Sequence, residues 1–273
     1  MKRLLLLLLV PALLAAFTLP SDTSYSKGPP VKVLPEYMAL GDSLAVGVGA
    51  SDTPPFPSTS NAYVPLVHAF LQSELGLDTD LNLNNLGVGG EDTNSMRIEG
   101  GQLDTALAEL EARNGDKKRK NDVEVITLDI GGNDVLGLLS VCGGGFTQDC
   151  ADAISSTFAT FSGNFNFILG ELRSAAGPDT TIIVMTYYNA LEAAGCPLNA
   201  LAPLGDIVLE GEPLLGLPVG LNDLIRFVAA AHGAEVADTF GRLSPDDIQP
   251  DCIHANDVGY AEITEQFIEA FDD

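Results

Sequence analysis

Residues 123–134 read VEVITLDIGGND. Aliphatic and β-branched side chains dominate Val123–Ile130, no proline interrupts the run, and a glycine pair ends it. That is the pattern of a buried strand stopped by a turn. The same pattern recurs on both sides. Tyr37–Leu40 is a strand ending at Gly41, and Leu81–Leu86 alternates Leu with Asn as a half-buried strand does. Thr180–Tyr187 is a β-branched strand and Ala234–Phe240 the last one.

Helical patterns fill the intervals. Tyr63–Leu75 puts Val64, Val67, Phe70 and Leu71 on one face, and Leu103–Leu110 puts Leu103, Leu107 and Leu110 in register before the polar turn GDKKRKND. Ala151–Ala176 carries Phe158, Phe161, Phe165 and Phe167, with Gly163 a candidate break. Leu217–His232 is stopped by Gly233 at the C′ position, and Asp257–Phe271 closes the chain. Strands alternating with helices imply right-handed βαβ crossovers and a parallel sheet covered on both faces, hence an α/β fold with five strands in one domain. Ligands of such sheets sit beyond the carboxyl ends of the strands. The loops leaving those ends begin at Gly41, Gly87, Gly131, Tyr188 and Gly241.

The chain has 273 residues, 46% hydrophobic and 19% charged, so a packed core forms and wholesale disorder is excluded. The formal charge of −25 repels phosphate backbones and anionic lipid headgroups, which excludes a basic nucleic-acid groove. Met1-Lys2-Arg3 precedes an apolar run from Leu4 to Leu19 that contains Pro11. A basic start and a run shorter than the ~20 residues of a membrane span read as a secretory signal. We therefore expect a signal peptide over 1–20, a polar, Pro-rich flexible leader over 21–34, and a single catalytic domain over 35–273. Cleavage would remove Lys2 and Arg3 and no acid, leaving a secreted, more acidic chain without a stable membrane anchor. Four cysteines suit an oxidising compartment. Four allow three pairings. Cys142 and Cys150 flank a Gly-rich turn and close easily, which leaves Cys196 with Cys252; free buried thiols are the alternative. No Cys-x-x-Cys or Cys/His cluster suggests a metal.

Three histidines narrow the chemistry. His68 lies within a helical pattern, and His232 sits in the last turn before Gly233, where it complements the helix dipole. His254 is in a loop, three residues after Asp251. That spacing lets the carboxylate take the Nδ1 proton and leaves Nε2 as a base. Ser43, in Gly41-Asp42-Ser43-Leu44, follows the first strand as a nucleophile would, or as a helix N-cap would. The G-x-S-x-G elbow is absent, since Ala45 replaces its last glycine. Asn85-Leu86-Gly87-Val88-Gly89-Gly90 offers backbone N–H groups and Asn133 a side-chain amide for an oxyanion. Neither Gly87-Val88-Gly89 nor Gly47-Val48-Gly49 completes a dinucleotide fingerprint, because Asp92 and Asp52 stand at the third glycine.

Taken in order, GDSL, NLGVGG, GGND and DxxH, each just after a strand, make the chain resemble the SGNH (GDSL-type) hydrolase family of serine esterases and lipases from Tyr37 to Phe271. The resemblance implies a three-layer α/β/α sandwich of flavodoxin-like form. It implies a Ser43–His254–Asp251 triad and an oxyanion hole from the Ser43 and Gly90 N–H groups and Asn133, with Gly89 the fallback. The implied activity is that of a lipase- or carboxylesterase-type serine hydrolase of acyl esters that needs neither cofactor nor metal; with the signal it is expected to be secreted, and we expect a monomer acting on a small-molecule or lipid ester. Residues 198–221 and Val135–Val141 are leucine-rich and would wall an acyl site, while the absence of Trp weakens sugar stacking. A carbohydrate O-acetyl esterase, a lysophospholipase and a non-catalytic surface-binding domain remain alternatives. A two-metal phosphoesterase is disfavoured by so few histidines.

Overall fold

The computed structural model describes residues 34–51, 61–76, 80–115 and 119–272. The expected signal peptide, and all of the expected leader except Leu34, lie outside the described residues. The chain runs β1 (Glu36–Gly41), α1 (Ser43–Val46), α2 (Tyr63–Glu74), β2 (Asn82–Asn85), α3 (Gln102–Asn114) and β3 (Val123–Asp129). It continues through α4 (Gly132–Leu136), α5 (Leu138–Cys142), α6 (Gln148–Ala176), β4 (Thr181–Met185) and α7 (Ala202–Glu210). It ends with α8 (Leu221–Ala231), β5 (Glu235–Ala237) and α9 (Asp257–Asp272).

The five strands form one parallel sheet in the order β2-β1-β3-β4-β5. The first crossover moves one way from β1 and all later ones move the other way. Right-handed crossovers therefore put the helices on opposite faces. Accordingly α2 packs with α9, while α3, α6 and α8 pack side by side. β1 is buried along its whole length. β2, at the edge, is only partly covered, as its Leu/Asn alternation requires. The reversal of strand order falls between β1 and β3, the position where such sheets bind ligands. Gly41 and Asp129 are register partners there, so the turns after β1 and β3 leave the sheet side by side.

Three elements depart from the sequence reading. Gly163 does not interrupt α6, which runs unbroken for 29 residues. A helical glycine costs about 1 kcal/mol relative to alanine. Burying one large apolar side chain returns about 1.5–3 kcal/mol, and Phe158, Phe161, Phe165 and Leu169 are all buried around it. Phe167 is not part of that core: it is 44% exposed and lies beneath the Arg97 guanidinium. The helix expected from Leu217 begins only at Leu221, because Leu217 pairs with Glu212 and precedes Pro218, which disfavours helical backbone. The last strand is three residues long rather than seven. Beyond it Thr239 N donates to Thr186 Oγ1 (2.9 Å) and Thr239 Oγ1 to Thr186 O (2.7 Å), so side chains take the bonds a longer ladder would have made.

The long segment after β4 is not a plain loop. It contains α7 and three short 3-10 turns, Ala190–Glu192, Asn199–Leu201 and Pro213–Leu215. Two disulfides, Cys142–Cys150 and Cys196–Cys252, tie α5 to the first turn of α6 and this segment to the loop ahead of α9.

Candidate active site

The turn after β1 is shaped by what surrounds it. Gly41 has φ 144°, and a Cβ there would lie 2.3 Å from the Asp129 side chain, so only glycine fits. Asp42, not Ser43, caps α1: its Oδ1 accepts from Leu44 N at 2.9 Å. Ser43 is then the first helical residue, and its hydroxyl is free of capping duty.

The loop ahead of α9 brings His254 to that hydroxyl. His254 Nε2 lies 2.9 Å from Ser43 Oγ, and Nδ1 lies 2.7 Å from Asp251 Oδ2. An ionised carboxylate only accepts, so Nδ1 carries the ring proton and Nε2 accepts from the serine hydroxyl. Asp251 Oδ1 also accepts from Ile253 N and His254 N, both at 3.0 Å. Burial pushes the Asp251 carboxyl up, but the hydrogen bonds from His254 and Ile253 outweigh it and hold it below the ordinary carboxylate value. The loop is pinned elsewhere too. Tyr188 donates to Ile253 O (2.7 Å) and Gln249 Nε2 to Gly49 O (2.7 Å). Cys252, bridged to Cys196, is the one described non-glycine residue with positive φ, at 65°.

Asn133 lines the same cavity as Ser43. Its Nδ2 donates to Glu91 O (2.8 Å) and, at 3.2 Å, to Asp42 Oδ2. Gly90 immediately precedes Glu91, with φ 81° and open space on its Cβ side. The loop carrying Gly90 is therefore tied to the loop carrying Asn133, although Gly90 is not among the residues lining the cavity. Gly89 has equally open surroundings. His68 and His232 stand apart from this site: His68 Nε2 meets Leu81 O (2.9 Å) and His232 Nε2 meets Asn166 Oδ1 (3.0 Å).

Beneath the serine turn lies a pair of carboxyls. Asp129 is fully buried, accepts from Tyr63 OH, and takes Asp42 N on Oδ2 at 3.1 Å. Burial, reinforced by the neighbouring Asp42 charge, pushes Asp129 well above the ordinary carboxylate value. Asp42 is also raised by burial, against the hydrogen bonds of Leu44, Asp129 and Tyr187 and the charge of His254. Asp42 Oδ2 accepts from both Asn133 and Tyr187 OH (3.2 Å each), so Asp42 is the member that carries charge and Asp129 the one that keeps its proton. The sequence reading gave no role to Asp129, Tyr63 or Tyr187. The one available signal was an acid ending an otherwise apolar strand.

A cavity of about 110 Å³ opens beside Ser43, lined by Val135 and Leu139 and by Leu204 and Leu209 of α7. Ile253 of the histidine loop also lines it. Both leucine-rich stretches singled out in the sequence contribute to it.

Fold and site together put a serine, a histidine and an acid in hydrogen-bonded sequence at the switch point of a parallel sheet between helical layers. The chain belongs to the GDSL-like lipase/acylhydrolase family, whose sequence profile matches residues 39–262, and is an ester-bond hydrolase. Among solved structures it is similar to a lipase from a goat rumen metagenome, at 20% identity and TM-score 0.59 over 86% of this chain and 97% of that one. It is also similar to phospholipase A1 from Streptomyces albidoflavus, at 18% identity and TM-score 0.57 over 87% and 99%. An acetylxylan esterase from Geobacillus stearothermophilus matches at 14% identity and TM-score 0.52 over 89% and 97%. At such identities these likenesses establish the fold: a five-stranded parallel sheet between helical layers. No curated protein sequence matches the chain.

Proposed function

We propose that the protein is a secreted serine hydrolase of acyl esters in which Ser43 is the nucleophile, His254 the general base and Asp251 the orienting acid. The observation that carries this reading is the continuous pair of contacts, Ser43 Oγ to His254 Nε2 at 2.9 Å and His254 Nδ1 to Asp251 Oδ2 at 2.7 Å. As Oγ attacks the ester carbonyl carbon, its proton passes to Nε2. The Asp251 carboxylate stabilises the imidazolium so formed. The Ser43 and Gly90 N–H groups and the Asn133 amide receive the tetrahedral oxyanion. Asn133 exchanges its longer bond, to Asp42, for that charge. His254 then returns the proton to the leaving alkoxide, and water activated by the same nitrogen releases the acyl group. No metal or cofactor enters this sequence.

The apolar cavity beside Ser43 supports an acyl chain longer than acetyl on the acid side of the ester. Secretion is supported by the basic-then-apolar start of the chain and by two disulfides. We assign residues 1–20 as the signal and 35–273 as the catalytic domain. Among the described residues no helix is long and apolar enough to cross a membrane.

Nitrophenyl esters of graded chain length, assayed beside acetylated xylo-oligosaccharides, test the substrate. Medium-chain esters are expected to turn over fastest. Faster turnover of the acetylated sugars overturns the acyl assignment and favours a carbohydrate esterase. A fluorophosphonate probe is expected to label Ser43, and Ser43→Ala to lose both labelling and turnover. Wild-type turnover in Ser43→Ala overturns the mechanism.

A further inference from the structure

Gln102, the first residue of α3, is buried and reaches two parts of the site at once. Its Oε1 accepts from Gly41 N (2.7 Å) and its Nε2 donates to Gly41 O (2.9 Å). The side-chain amide thus pairs with the peptide groups of Gly41 much as a neighbouring strand would. The orientation of the amide is fixed, because the N–H needs an acceptor and the carbonyl a donor. The same Nε2 donates to the Glu91 carboxylate at 3.2 Å, and Glu91 is itself buried. Gly41 is two residues before Ser43. Glu91 directly follows Gly90, and its carbonyl holds Asn133 Nδ2. One side chain therefore bonds the turn that presents the hydroxyl and the loop that presents the oxyanion donors.

We propose that Gln102 is a positioning residue that sets the spacing between Ser43 and the oxyanion-binding loop. It touches neither substrate nor reacting atoms and acts through Gly41 and Glu91. The inference rests on the roles given above to Ser43, Gly90 and Asn133. A hydrolase needs its donors aimed at where the oxyanion forms, and small displacements of such groups cost turnover steeply. The main-chain pairing of β1 with β2 ends at Ala39↔Asn85; past it, Leu86 N donates to Ala39 O, Val88 N to Gly41 O and Asn85 Nδ2 to Ala45 O, and Gln102 adds a buried link from Gly41 to Glu91.

The test uses Gln102→Glu and Gln102→Leu in the full chain. Glutamate has the same shape. Ionised, it has no hydrogen to offer Gly41 O or Glu91; protonated, its hydroxyl restores one of those bonds. The ionisable groups around this junction are Glu91, Asp42 and Asp129, with His254 beyond Asp42. The carboxyls favour protonation of the new acid as pH falls, and charged His254 opposes it more weakly across Asp42. At pH 8, kcat of Gln102→Glu on a nitrophenyl ester is expected to fall by about 10–100-fold, with KM little changed. Its ratio to wild-type kcat at the same pH should recover severalfold towards pH 5. Gln102→Leu should show the deficit without the recovery. The rate of fluorophosphonate labelling of Ser43 should follow kcat in each variant, and thermal melting reports whether each folds.

Labelled Ser43 in the wild type with unimpaired kcat in both variants overturns the positioning role and leaves the nucleophile standing. So does a deficit in Gln102→Glu that is flat with pH. Absence of labelling at Ser43 in the wild type overturns the assignment of the nucleophile and this inference with it.

Discussion

Asp129 shows how one buried side chain ties folding to the site. Burial and the Asp42 charge push its carboxyl well above the ordinary carboxylate value beneath the serine turn, where it accepts from Tyr63 OH and Asp42 N. A carboxyl raised on folding contributes stability that is complete below its unfolded value and is lost as pH rises through its folded value. Across that window one such group lowers unfolding free energy by up to about 1.4 kcal/mol per pH unit. Asn at 129 keeps the shape and cannot ionise, and the Tyr63 hydroxyl can turn to accept from it. Urea denaturation at a series of pH values from 5 to 9 is expected to show wild type losing stability relative to Asp129→Asn as pH rises. Parallel curves would mean that Asp129 does not titrate between the two states. At this scale the sequence was read unevenly. Asp251 and His254 lie three residues apart on one turn, so their pairing is a local matter. Ser43 and His254 are 211 residues apart in sequence, and only the order of the motifs and the family resemblance pointed from one to the other. Gln102 gave no signal, and Asp129 only that of an acid at the end of a largely apolar strand, because what matters about them is which distant groups they meet.

Elements carry the walls of the cavity and the tether of the histidine loop. Strand and helix existence was legible wherever apolar period and glycine stops agreed, as in β1, β3 and α2. Boundaries failed where side chains compete with the backbone, as at Thr186 and Thr239, or where packing overrides propensity, as at Gly163. α7 was hidden within a leucine-rich stretch whose turns at both ends disguise its nine helical residues. Leu204 of α7 lines the cavity and is only partly buried, so enlarging it extends into the acyl space rather than the core. Leu204→Phe is expected to shift preference towards shorter nitrophenyl esters, by roughly tenfold in the ratio of long- to short-chain kcat/KM, a cost of about 1–3 kcal/mol for one misfit in an apolar pocket. An unchanged chain-length profile would place the acyl group elsewhere. The Cys196–Cys252 bridge joins the segment leading to α7 to the loop that carries Asp251 and His254. Because the Cys252 backbone lies in the left-handed region, replacing the pair by serine frees a residue that relaxes readily. Cys196→Ser/Cys252→Ser should lose activity at temperatures well below its melting transition, and Cys196→Ser/Cys252→Gly should keep part of it. Loss of activity that merely tracks melting would assign the bridge to stability alone.

The whole molecule is an acid, with 38 Asp and Glu against 13 Lys and Arg. That imbalance was plain in the composition and needs no fold to interpret. Charge at this scale acts on encounter rather than on chemistry: it changes how often an ester at a charged surface reaches Ser43, not how fast a bound ester is cleaved. An anionic micelle repels the protein at low ionic strength, where the Debye length is about 30 Å at 0.01 M, and much less at 1 M, where it is about 3 Å. The same nitrophenyl ester should therefore be hydrolysed more slowly in anionic micelles than in zwitterionic ones at 0.01 M salt, with the gap closing as salt is raised. A water-soluble short ester serves as the control and should show little salt dependence, since its approach involves no net charge. Local changes in the site leave that contrast untouched, so it separates the field of the molecule from the machinery of the triad. A gap that persists at high salt would mean that anionic surfaces are excluded by shape at the cavity mouth rather than by the charge of the protein as a whole.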